Sequence, residues 1–367
     1  MRVAIFRDGP WLPAKEGGSF GINQMIRALM KKRVDVVLVR CYRGWDNIKL
    51  YKKEPYTTIL LREEDFYGRP DFVVSLLVKN KIDVAHFDSP EILEVYYKAL
   101  QESKIPIVWE VHNIHSDLSK QLGFNKEVVE TLKRREKRVA NMSDAILCRS
   151  KNDRTKILKI AKVPKHKIFL YTGGIDTKAL KNLRPDKIGK RIITFGNLYY
   201  EPNKRMVIRL IEILKQTIKF DNDIRLDVVG DIPPTLRKQI ESRYVKVHGF
   251  VPDISDILKH EALLVAPLES GSGTRVKLLV AMAAGIPTIT TRKGAEGLDF
   301  KGRIIISDNF RAYPKLIVNL LNNKKLYDRL SKSGRRLIQE KYDWDKQVHK
   351  VIAAYKSVAT PNSTLAS

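Results

Sequence analysis

Residues 263–287 read LLVAPLESGSGTRVKLLVAMAAGIP, and this stretch decides the fold. The four apolar residues Leu263–Ala266 predict a buried strand, and the loop behind it is rich in glycine and small polar residues. The spacing then predicts a helix over Arg275–Ala284, with Thr274 as its N-cap and Gly285 as the residue that ends it. A strand, a glycine-rich loop and a helix in this order indicate one half of a βαβ unit.

The same alternation of short apolar strands and longer helices continues through the whole chain. The predicted strands are Val3–Phe6, Val34–Val39, Thr58–Leu61, Val84–Phe87, Ile105–Trp109, Ala145–Leu147, Ile168–Tyr171, Ile192–Phe195, Leu226–Val229, Val245–Val247, Leu263–Ala266, Thr288–Thr290 and Ile304–Ile306. Strands that alternate with helices form parallel sheets with helices on both faces. The chain of 367 residues is long enough for two cores of roughly 150 to 200 residues each. We therefore predict two doubly wound α/β domains, residues 1–172 and 173–344, and a disordered tail at 360–367.

The composition excludes several classes of protein. Hydrophobic residues make up 43% and aromatic residues 8% of the chain, which is typical of a globular protein. Cys41 and Cys148 are far apart and outside any cysteine–histidine cluster, so we predict two buried thiols rather than a disulfide or a zinc site. No apolar run approaches the roughly 18 to 20 residues of a transmembrane helix, and Met1–Arg7 predicts a strand rather than a signal peptide. We expect a cytoplasmic protein, at most held on a membrane surface.

The charge is strongly basic, since 68 Lys and Arg against 41 Asp and Glu give a net charge of +27. On the helix predicted over Lys126–Asn141, the run Lys133–Arg138 forms two basic ridges, because residues four apart share a face. Nucleic acid is not an expected partner, since no RRM, KH, zinc-finger or helix–turn–helix pattern accompanies the charge. A solvated helix face is the favoured interpretation of these ridges and Lys31–Arg33, and an anionic membrane surface is the possible partner in the alternative interpretation.

Four loops fall at the carboxyl ends of predicted strands, where doubly wound folds bind their ligands. They are Glu16–Ser19, Trp109–Asn113, Phe195–Lys204 and Pro267–Lys277. The paired glycines of the first either bring backbone amides to an anion or form a plain turn. The histidine of the second suits contact with a substrate hydroxyl or a structural role. In the third, a glycine lets a ligand approach the backbone closely. Its two basic side chains either bind a phosphate or lie in solvent at the start of a helix.

The fourth loop is the most informative. Gly271, Ser272 and Gly273 bring bare backbone amides to a helix N-terminus beside Arg275 and Lys277, an arrangement that suits a diphosphate. The loop lacks the Gly-Lys-Ser/Thr of a Walker A motif and the GxGxxG of a dinucleotide site. A P-loop NTPase or a dinucleotide-dependent enzyme is therefore not predicted.

Several short motifs follow one another in a specific order along the chain. They are Gly17-Gly18, His112-Asn113, Phe195–Asn203, His248–Asp253, Ala266–Leu279, Ala281–Pro287, Gly294–Gly297 and Tyr342–Trp344. Each motif alone is weak, but their order and spacing over nearly the whole chain resemble glycosyltransferase family 4, a large retaining family with the GT-B fold.

The resemblance implies two Rossmann-like domains that face a cleft, with a last helix at about 345–359 crossing back onto the first domain. It implies a hexosyltransferase-like enzyme that moves a sugar, with retention, from a nucleotide-diphosphate donor on the second domain to a glycan or lipid-linked acceptor on the first. It also implies that no metal or other cofactor is needed, because protein cations and a helix dipole stabilise the leaving diphosphate.

The resemblance also assigns roles to individual residues. Those implied to be catalytic are His112, which would touch the transferring sugar, and Lys204, Arg275 and Lys277, which would neutralise the diphosphate. Those implied to bind the donor are Gly17, Gly18, Gly196, Asn197, Gly271, Ser272, Gly273, Thr274 and Glu296.

The chain departs from the family pattern at two positions. The family has one Glu directly before the Ala-Met-Ala motif and another eight residues earlier, where this chain has Val280 and Ser272. The later Glu hydrogen-bonds the donor ribose, which valine cannot do, and a lost charge-assisted hydrogen bond weakens binding by about 1.5–3 kcal/mol. The alternative hypothesis is therefore a degenerate GT-B protein that binds a nucleotide, a glycan or a partner without catalysis.

Overall fold

The computed structural model describes residues 1–9, 11, 17–44, 48–180, 183, 189–271 and 275–359. The first part of the chain forms a parallel sheet in the order β3-β2-β1-β4-β5-β6-β7. Its strands are β1 Arg2–Arg7, β2 Asp35–Cys41, β3 Thr57–Leu61, β4 Val84–Phe87, β5 Ile107–Val111, β6 Ala145–Cys148 and β7 Ile168–Leu170. The order runs outward in both directions from β1, so the topological switch point lies between β1 and β4.

The second part of the chain repeats this plan in a parallel sheet of order β10-β9-β8-β11-β12-β13. Its strands are β8 Arg191–Phe195, β9 Arg225–Val229, β10 Val245–Gly249, β11 Leu263–Ala266, β12 Thr288–Thr290 and β13 Ile305–Ile306. Here the switch point lies between β8 and β11. The prediction of an α/β protein with two doubly wound sheets is confirmed, and each strand predicted from the sequence is present within two residues of its bounds.

Helices connect the strands in both domains. Those of the first domain are α1 Gly17–Lys31, α2 Ile48–Tyr51, α3 Glu63–Gly68, α4 Pro70–Lys79, α5 Pro90–Glu102, α6 His115–Gln121, α7 Lys126–Met142 and α8 Lys151–Ala161. Those that follow are α9 Glu201–Thr217, α10 Pro234–Ile240, α11 Ser255–Leu258, α12 Val276–Ala283, α13 Arg292–Ala295, α14 Tyr313–Asn322, α15 Lys324–Lys341 and α16 Trp344–Val358. Two short 3₁₀ turns, Lys165–Lys167 and Phe310–Ala312, complete the described elements.

Helix α12 begins one residue later than the sequence predicts. Its N-cap is Arg275, whose side chain makes no capping hydrogen bond, and the predicted N-cap Thr274 lies outside the described residues. At the other end, Gly285 adopts a φ of +76°, the left-handed conformation that ends many helices and that glycine takes without strain.

The last helix, α16, packs on the first domain rather than the second. Its apolar face, with Val348 and Val351, joins the core between α1 and the strands β5, β6 and β7. The return is fixed at its start, where Asp343 caps the helix and accepts a hydrogen bond from Thr177. Gly174 lies so close to Trp344 that a Cβ there would meet the indole at 2.8 Å. These contacts tie the C-terminus to the segment that leaves the first sheet.

The surface features predicted from the sequence have mixed outcomes. Cys41 and Cys148 are buried and unpaired, as expected. In the described part of the chain, no helix is long and apolar enough to cross a membrane. Helix α7 contains the predicted basic run, but Arg135 and Arg138 form ion pairs at 2.8 and 2.6 Å with Glu91 and Glu94 of α5. Arg138 of one ridge is therefore compensated within the domain, and so is Arg135, which belongs to the run but to neither ridge. The tail at 360–367 lies outside the described residues.

Candidate active site

A cleft of about 740 Å³ lies between the two domains. Its walls come from loops that follow β1, β4, β5 and β6 in the first domain and β8, β9, β10 and β11 in the second. These are the carboxyl ends of strands beside the two switch points, where the connections separate and leave a crevice. The fold thus brings three of the four loops singled out from the sequence to one place.

His112 forms part of the first-domain wall, directly after β5. Its Nε2 atom lies 2.8 Å from Oε1 of Glu110, a fully buried residue of the same strand. Two residues apart on a strand, these side chains share one face of the sheet. Arg149, which follows β6 in the neighbouring position, contacts the same Oε1 at 2.5 Å and His112 Nε2 at 3.1 Å. The histidine at the cleft is therefore held from behind by a buried ion pair.

The ion pair is the centre of a larger buried network. Tyr171 donates its hydroxyl hydrogen to Glu110 Oε1, while the other oxygen, Oε2, lies 3.0 Å from Nε2 of His86 on β4. Nδ1 of His86 in turn lies 2.7 Å from the hydroxyl of Tyr355 on α16. The side chains of His86 and Tyr355 are both fully buried.

The charges in this network follow from its geometry. Burial alone would raise the pKa of Glu110, but His112 and Arg149 outweigh it and hold that pKa well below the ordinary value. Burial and the positive charge of Arg149 lower the pKa of His112 against the pull of Glu110. At neutral pH the site therefore contains a carboxylate, a guanidinium and a neutral imidazole.

The second-domain wall begins with the loop after β8. Gly196 has a φ of +143°, and a Cβ there would lie 2.8 Å from Nδ2 of Asn203. Gly230, after β9, has a φ of +128°, and a Cβ there would meet the carbonyl oxygen of Gly196 at 2.1 Å. Both positions require glycine, because the backbone is left-handed and the neighbouring atoms leave no space. The two loops pack backbone against backbone at the floor of the cleft.

Lys277 projects into the cleft from the first turn of α12. Its Nζ donates to Oδ1 of Asn203 at 2.8 Å and lies 3.5 Å from Sδ of Met206, both neutral partners. Asn203 Nδ2 donates to the carbonyl oxygen of Asn197 at 2.9 Å, so the amide is fixed at both ends. Burial and the charge of Arg275 lower the pKa of Lys277 to about 7.

Arg275 lies beside Lys277 and is only 7% exposed. Its guanidinium donates to the carbonyl oxygen of Lys293 at 3.4 Å, and its Nη1 would lie 3.1 Å from a Cβ at Gly271. Gly271 N donates to Oε1 of Gln121 at 3.3 Å, a contact between the two domains. Two cations of the second domain therefore stand together at one cleft wall, an electropositive arrangement that favours an anion.

Other predicted site residues fall in different places. Val280 lines the cleft, so the position where the family has its later Glu does face the site. Lys204 and Glu296 are not among the described residues that line it. Glu296 instead accepts a hydrogen bond from Asn152 of α8 at 2.7 Å and pairs with Lys293. Gly17 and Gly18 form the start of α1. Ser272, Gly273 and Thr274 lie outside the described residues.

Glu110 and Arg149 are candidate site residues that sequence reasoning missed. The sequence interpretation stopped at His112, although Glu110 is a charge inside an otherwise apolar strand, which is costly unless it is paired. Arg149 follows β6 directly, so it stands at a carboxyl strand end, the position used to select the other loops. Arg7, the last residue of β1, and Asp88, the first residue after β4, form an ion pair in the cleft wall at the corresponding strand ends.

Replacing Gly196 with alanine is expected to displace Asn203 and, with it, Lys277. The new Cβ would strain a left-handed backbone and overlap the Asn203 amide, so we expect the free energy of unfolding to fall by about 1–3 kcal/mol in urea titrations. Gly249→Ala is the matched control, because Gly249 has a φ of +72° but open space around its Cβ position. If the displaced Asn203 disturbs the cleft, Gly196→Ala should also weaken nucleotide binding. Gly249→Ala should leave nucleotide binding unchanged.

Comparisons with known proteins agree with the geometry. The family description "Glycosyltransferase Family 4" matches residues 16–179, and "Glycosyl transferases group 1" matches residues 189–323. The chain belongs to the group 1, family 4 glycosyltransferases, and its two sheets form the GT-B fold of that class.

The individual relatives share low sequence identity with this chain. A protein of Klebsiella pneumoniae, described as an uncharacterized 44.6 kDa protein in the cps region, is 25% identical over 311 residues, which are 82% of this chain and 74% of the relative. HepE of Anabaena, solved with UDP and glucose, has a TM-score of 0.78 at 15% identity and covers 97% of this chain and 100% of its own. Sucrose-phosphate synthase of Thermosynechococcus elongatus has a TM-score of 0.78 at 15% identity, with 97% and 98% covered.

A further similar structure is TarM of S. aureus. A TarM variant solved with Fondaparinux, alpha-GlcNAc-glycerol and UDP has a TM-score of 0.74 at 14% identity and covers 96% of this chain and 99% of its own. Likeness at this level of identity shows the fold alone, so the chemistry of this chain is argued from its own residues.

Proposed function

We propose that this glycosyltransferase moves a sugar from a nucleotide-diphosphate donor to a hydroxyl of a glycan or lipid-linked acceptor, with retention of configuration. The observation that carries the proposal is the pair Arg275 and Lys277 on the second-domain wall. Both are cations in a partly dehydrated cleft, and Lys277 contacts neutral partners, Asn203 and Met206. A bound diphosphate would place its negative charge against Lys277, whose contacts are with neutral groups.

The two cations suit the chemistry of the donor. Transfer breaks the bond between the sugar and the diphosphate, and negative charge develops on the leaving oxygen. Fixed cations aimed at that charge stabilise the transition state more than the ground state. We propose that these side chains take the place of a metal ion, so that transfer proceeds without one.

His112 faces the same cleft from the first domain. A neutral imidazole held by Glu110 and Arg149 presents one hydrogen-bonding nitrogen in a fixed direction, which suits contact with the hydroxyl of a transferring sugar. The acceptor is assigned to the first-domain wall, where the polar side chains of Asp8, Asp88 and Glu91 line the cleft. For retention, we propose that the leaving phosphate takes the proton of the acceptor hydroxyl on the same face of the sugar.

The experiment that tests the proposal is a panel of UDP-, GDP- and ADP-sugars, assayed by release of nucleoside diphosphate and by thermal shift, with and without EDTA. HepE and TarM have been solved with UDP, so UDP-sugars come first. We expect turnover with one donor class, unchanged by EDTA. Neither turnover nor thermal stabilisation with any donor would contradict the function, and loss of turnover in EDTA would contradict the metal-free mechanism alone.

A degenerate GT-B protein is the second candidate, because Val280 stands in the cleft where the family has a carboxylate. A Val280→Glu variant separates the two functions. If a weakened donor pocket persists, the new carboxylate should raise nucleotide affinity by roughly tenfold or more. Wild-type turnover at ordinary rates would exclude a GT-B protein without catalysis, whatever the affinity of the variant.

Nucleotide affinity should fall as the pH rises from 6 to 9. The pKa of Lys277 is lowered to about 7 in the free protein, and a bound diphosphate must raise it, since an opposite charge favours the protonated form. Binding therefore takes up a proton above pH 7. Titration calorimetry with UDP across this range measures the effect. Lys277→Arg should flatten the dependence, because arginine stays charged throughout. An equally steep dependence in that variant would assign the effect to another group.

A further inference from the structure

We propose that Tyr355 and His86 are positioning residues for His112, so that the returning C-terminal helix takes part in catalysis. The inference rests on the proposed function, since it assumes that His112 contacts the substrate. It concerns two side chains that do not line the cleft and that no sequence motif distinguished. The evidence is a continuous chain of hydrogen bonds and ion-pair contacts that runs from α16 to the cleft wall.

The chain has four members. The Tyr355 hydroxyl lies 2.7 Å from His86 Nδ1, and His86 Nε2 lies 3.0 Å from Glu110 Oε2. The other carboxylate oxygen of Glu110 lies 2.8 Å from His112 Nε2. Tyr355, His86 and Glu110 are fully buried, so water does not compete for these bonds.

The contacts of Glu110 decide what each neighbour can do. Glu110 is ionised and only accepts, so His86 presents an N–H to it from Nε2. On the other side of the same ring, Nδ1 of His86 meets the hydroxyl of Tyr355. His112 Nε2 lies between Oε1 of Glu110 and Nη2 of Arg149, and the guanidinium can only donate. Tyr355 thus holds the ring of His86, which in turn holds one oxygen of the carboxylate that, together with Arg149, orients His112.

The surroundings of His112 agree with this role. The charged groups near it are Glu110 on its own strand, Arg149 after β6 and Asp88 after β4. Glu110 Oε1 already serves Arg149, Tyr171 and His112, so rotation of this carboxylate would disturb all three contacts. His86 is the partner of Oε2 and therefore restrains that rotation. Because Tyr355 comes from the last helix, the restraint is complete only when α16 has docked.

Tyr355→Phe tests the role with minimal change in shape. We expect kcat to fall by about three- to tenfold, the size of one buried hydrogen bond, while KM for the donor stays within twofold. Tyr313→Phe is the matched control: Tyr313 is equally buried and its hydroxyl donates to a backbone carbonyl at 3.0 Å, but in the second domain. It should cost similar stability in urea titrations and leave kcat unchanged.

A double-mutant cycle with His112→Asn shows whether Tyr355 acts through His112. If it does, Tyr355→Phe lowers kcat in the wild type and has no further effect in the His112→Asn background. Equal effects in both backgrounds would overturn the proposal in favour of a purely structural role, as would an unchanged kcat in Tyr355→Phe itself. If wild-type protein shows no turnover, the proposed function fails first. In that case NMR of the His112 ring still tests the proposal: we expect Tyr355→Phe to shift the ring resonances and Tyr313→Phe to leave them in place, and unchanged resonances in Tyr355→Phe would overturn it.

Discussion

Replacing Lys277 with methionine is expected to lower kcat by about 10²–10³-fold, the cost of removing one fixed donor that stabilises developing charge. Methionine keeps the length and much of the packing of the lysine stem but removes the ammonium that lies 2.8 Å from Asn203. The remaining cation, Arg275, stays in place, so donor binding should weaken less than turnover. Steady-state kinetics with the donor identified by the sugar panel measures both effects.

Two further variants sharpen this prediction. Lys277→Arg should keep part of the activity, because the charge remains while the geometry of a point donor is lost. Lys204→Met should cost no more than about twofold, the usual range of surface changes, because Lys204 is not among the described residues that line the cleft. A larger loss in Lys204→Met than in Lys277→Met would reverse the assignment of the diphosphate cation.

The choice between Lys204 and Lys277 shows why sequence alone left the site open. Both follow glycine-containing loops at strand ends, and both suit a phosphate. The structure separates them, because consecutive residues of an α-helix point about 100° apart. Asn203 and Lys204 therefore face different directions from α9. Asn203, at the start of α9, faces Gly196 and Lys277. Lys204, the next residue, is not among the described residues that line the cleft.

The fold was predictable because its signal is local. Each strand is a short apolar run flanked by turns, and parallel strands buried on both faces have this appearance wherever they occur. The residues Val3–Phe6 of β1 are all fully buried, and they were identified as a strand from their composition. The loops at the strand ends were predictable for the same reason, since the topology alone places them at the cleft.

The buried network behind His112 was not predictable, because its members are distant in sequence. Tyr355 and His86 are 269 residues apart, and Arg149 and Glu110 are 39 apart. No local pattern links a tyrosine in the last helix to a histidine in the fourth strand. A charged residue inside an apolar strand is the one available signal, and it marks Glu110 without naming its partners.

Replacing Glu110 with glutamine is expected to reduce the free energy of unfolding by about 3–5 kcal/mol, because it leaves the buried Arg149 without its counterion. The amide also turns one accepting oxygen into a donor, which opposes the N–H groups of His86 or His112. Urea titration at pH 7 measures the loss. Since the pKa of Glu110 is held well below its ordinary value of 4.5, its stabilisation is fully present above that pH and disappears only as the pH falls further.

Glu261→Gln is the matched control. Glu261 is also fully buried, but its pKa is raised, whereas that of Glu110 is lowered. Burial and the neighbouring charge of Asp227 raise the pKa of Glu261 to about 8, so its carboxyl is protonated at neutral pH and resembles an amide. Between pH 4.5 and 8 the folded protein holds this proton while the unfolded chain releases it, so the wild-type stability from this group falls as pH rises. Glu261→Gln should therefore be neutral near pH 4.5 and stabilising toward pH 8, whereas Glu110→Gln should be destabilising throughout that range. Equal losses in both variants would show that the amide group introduced at a buried position, and not the loss of a charge, decides the outcome.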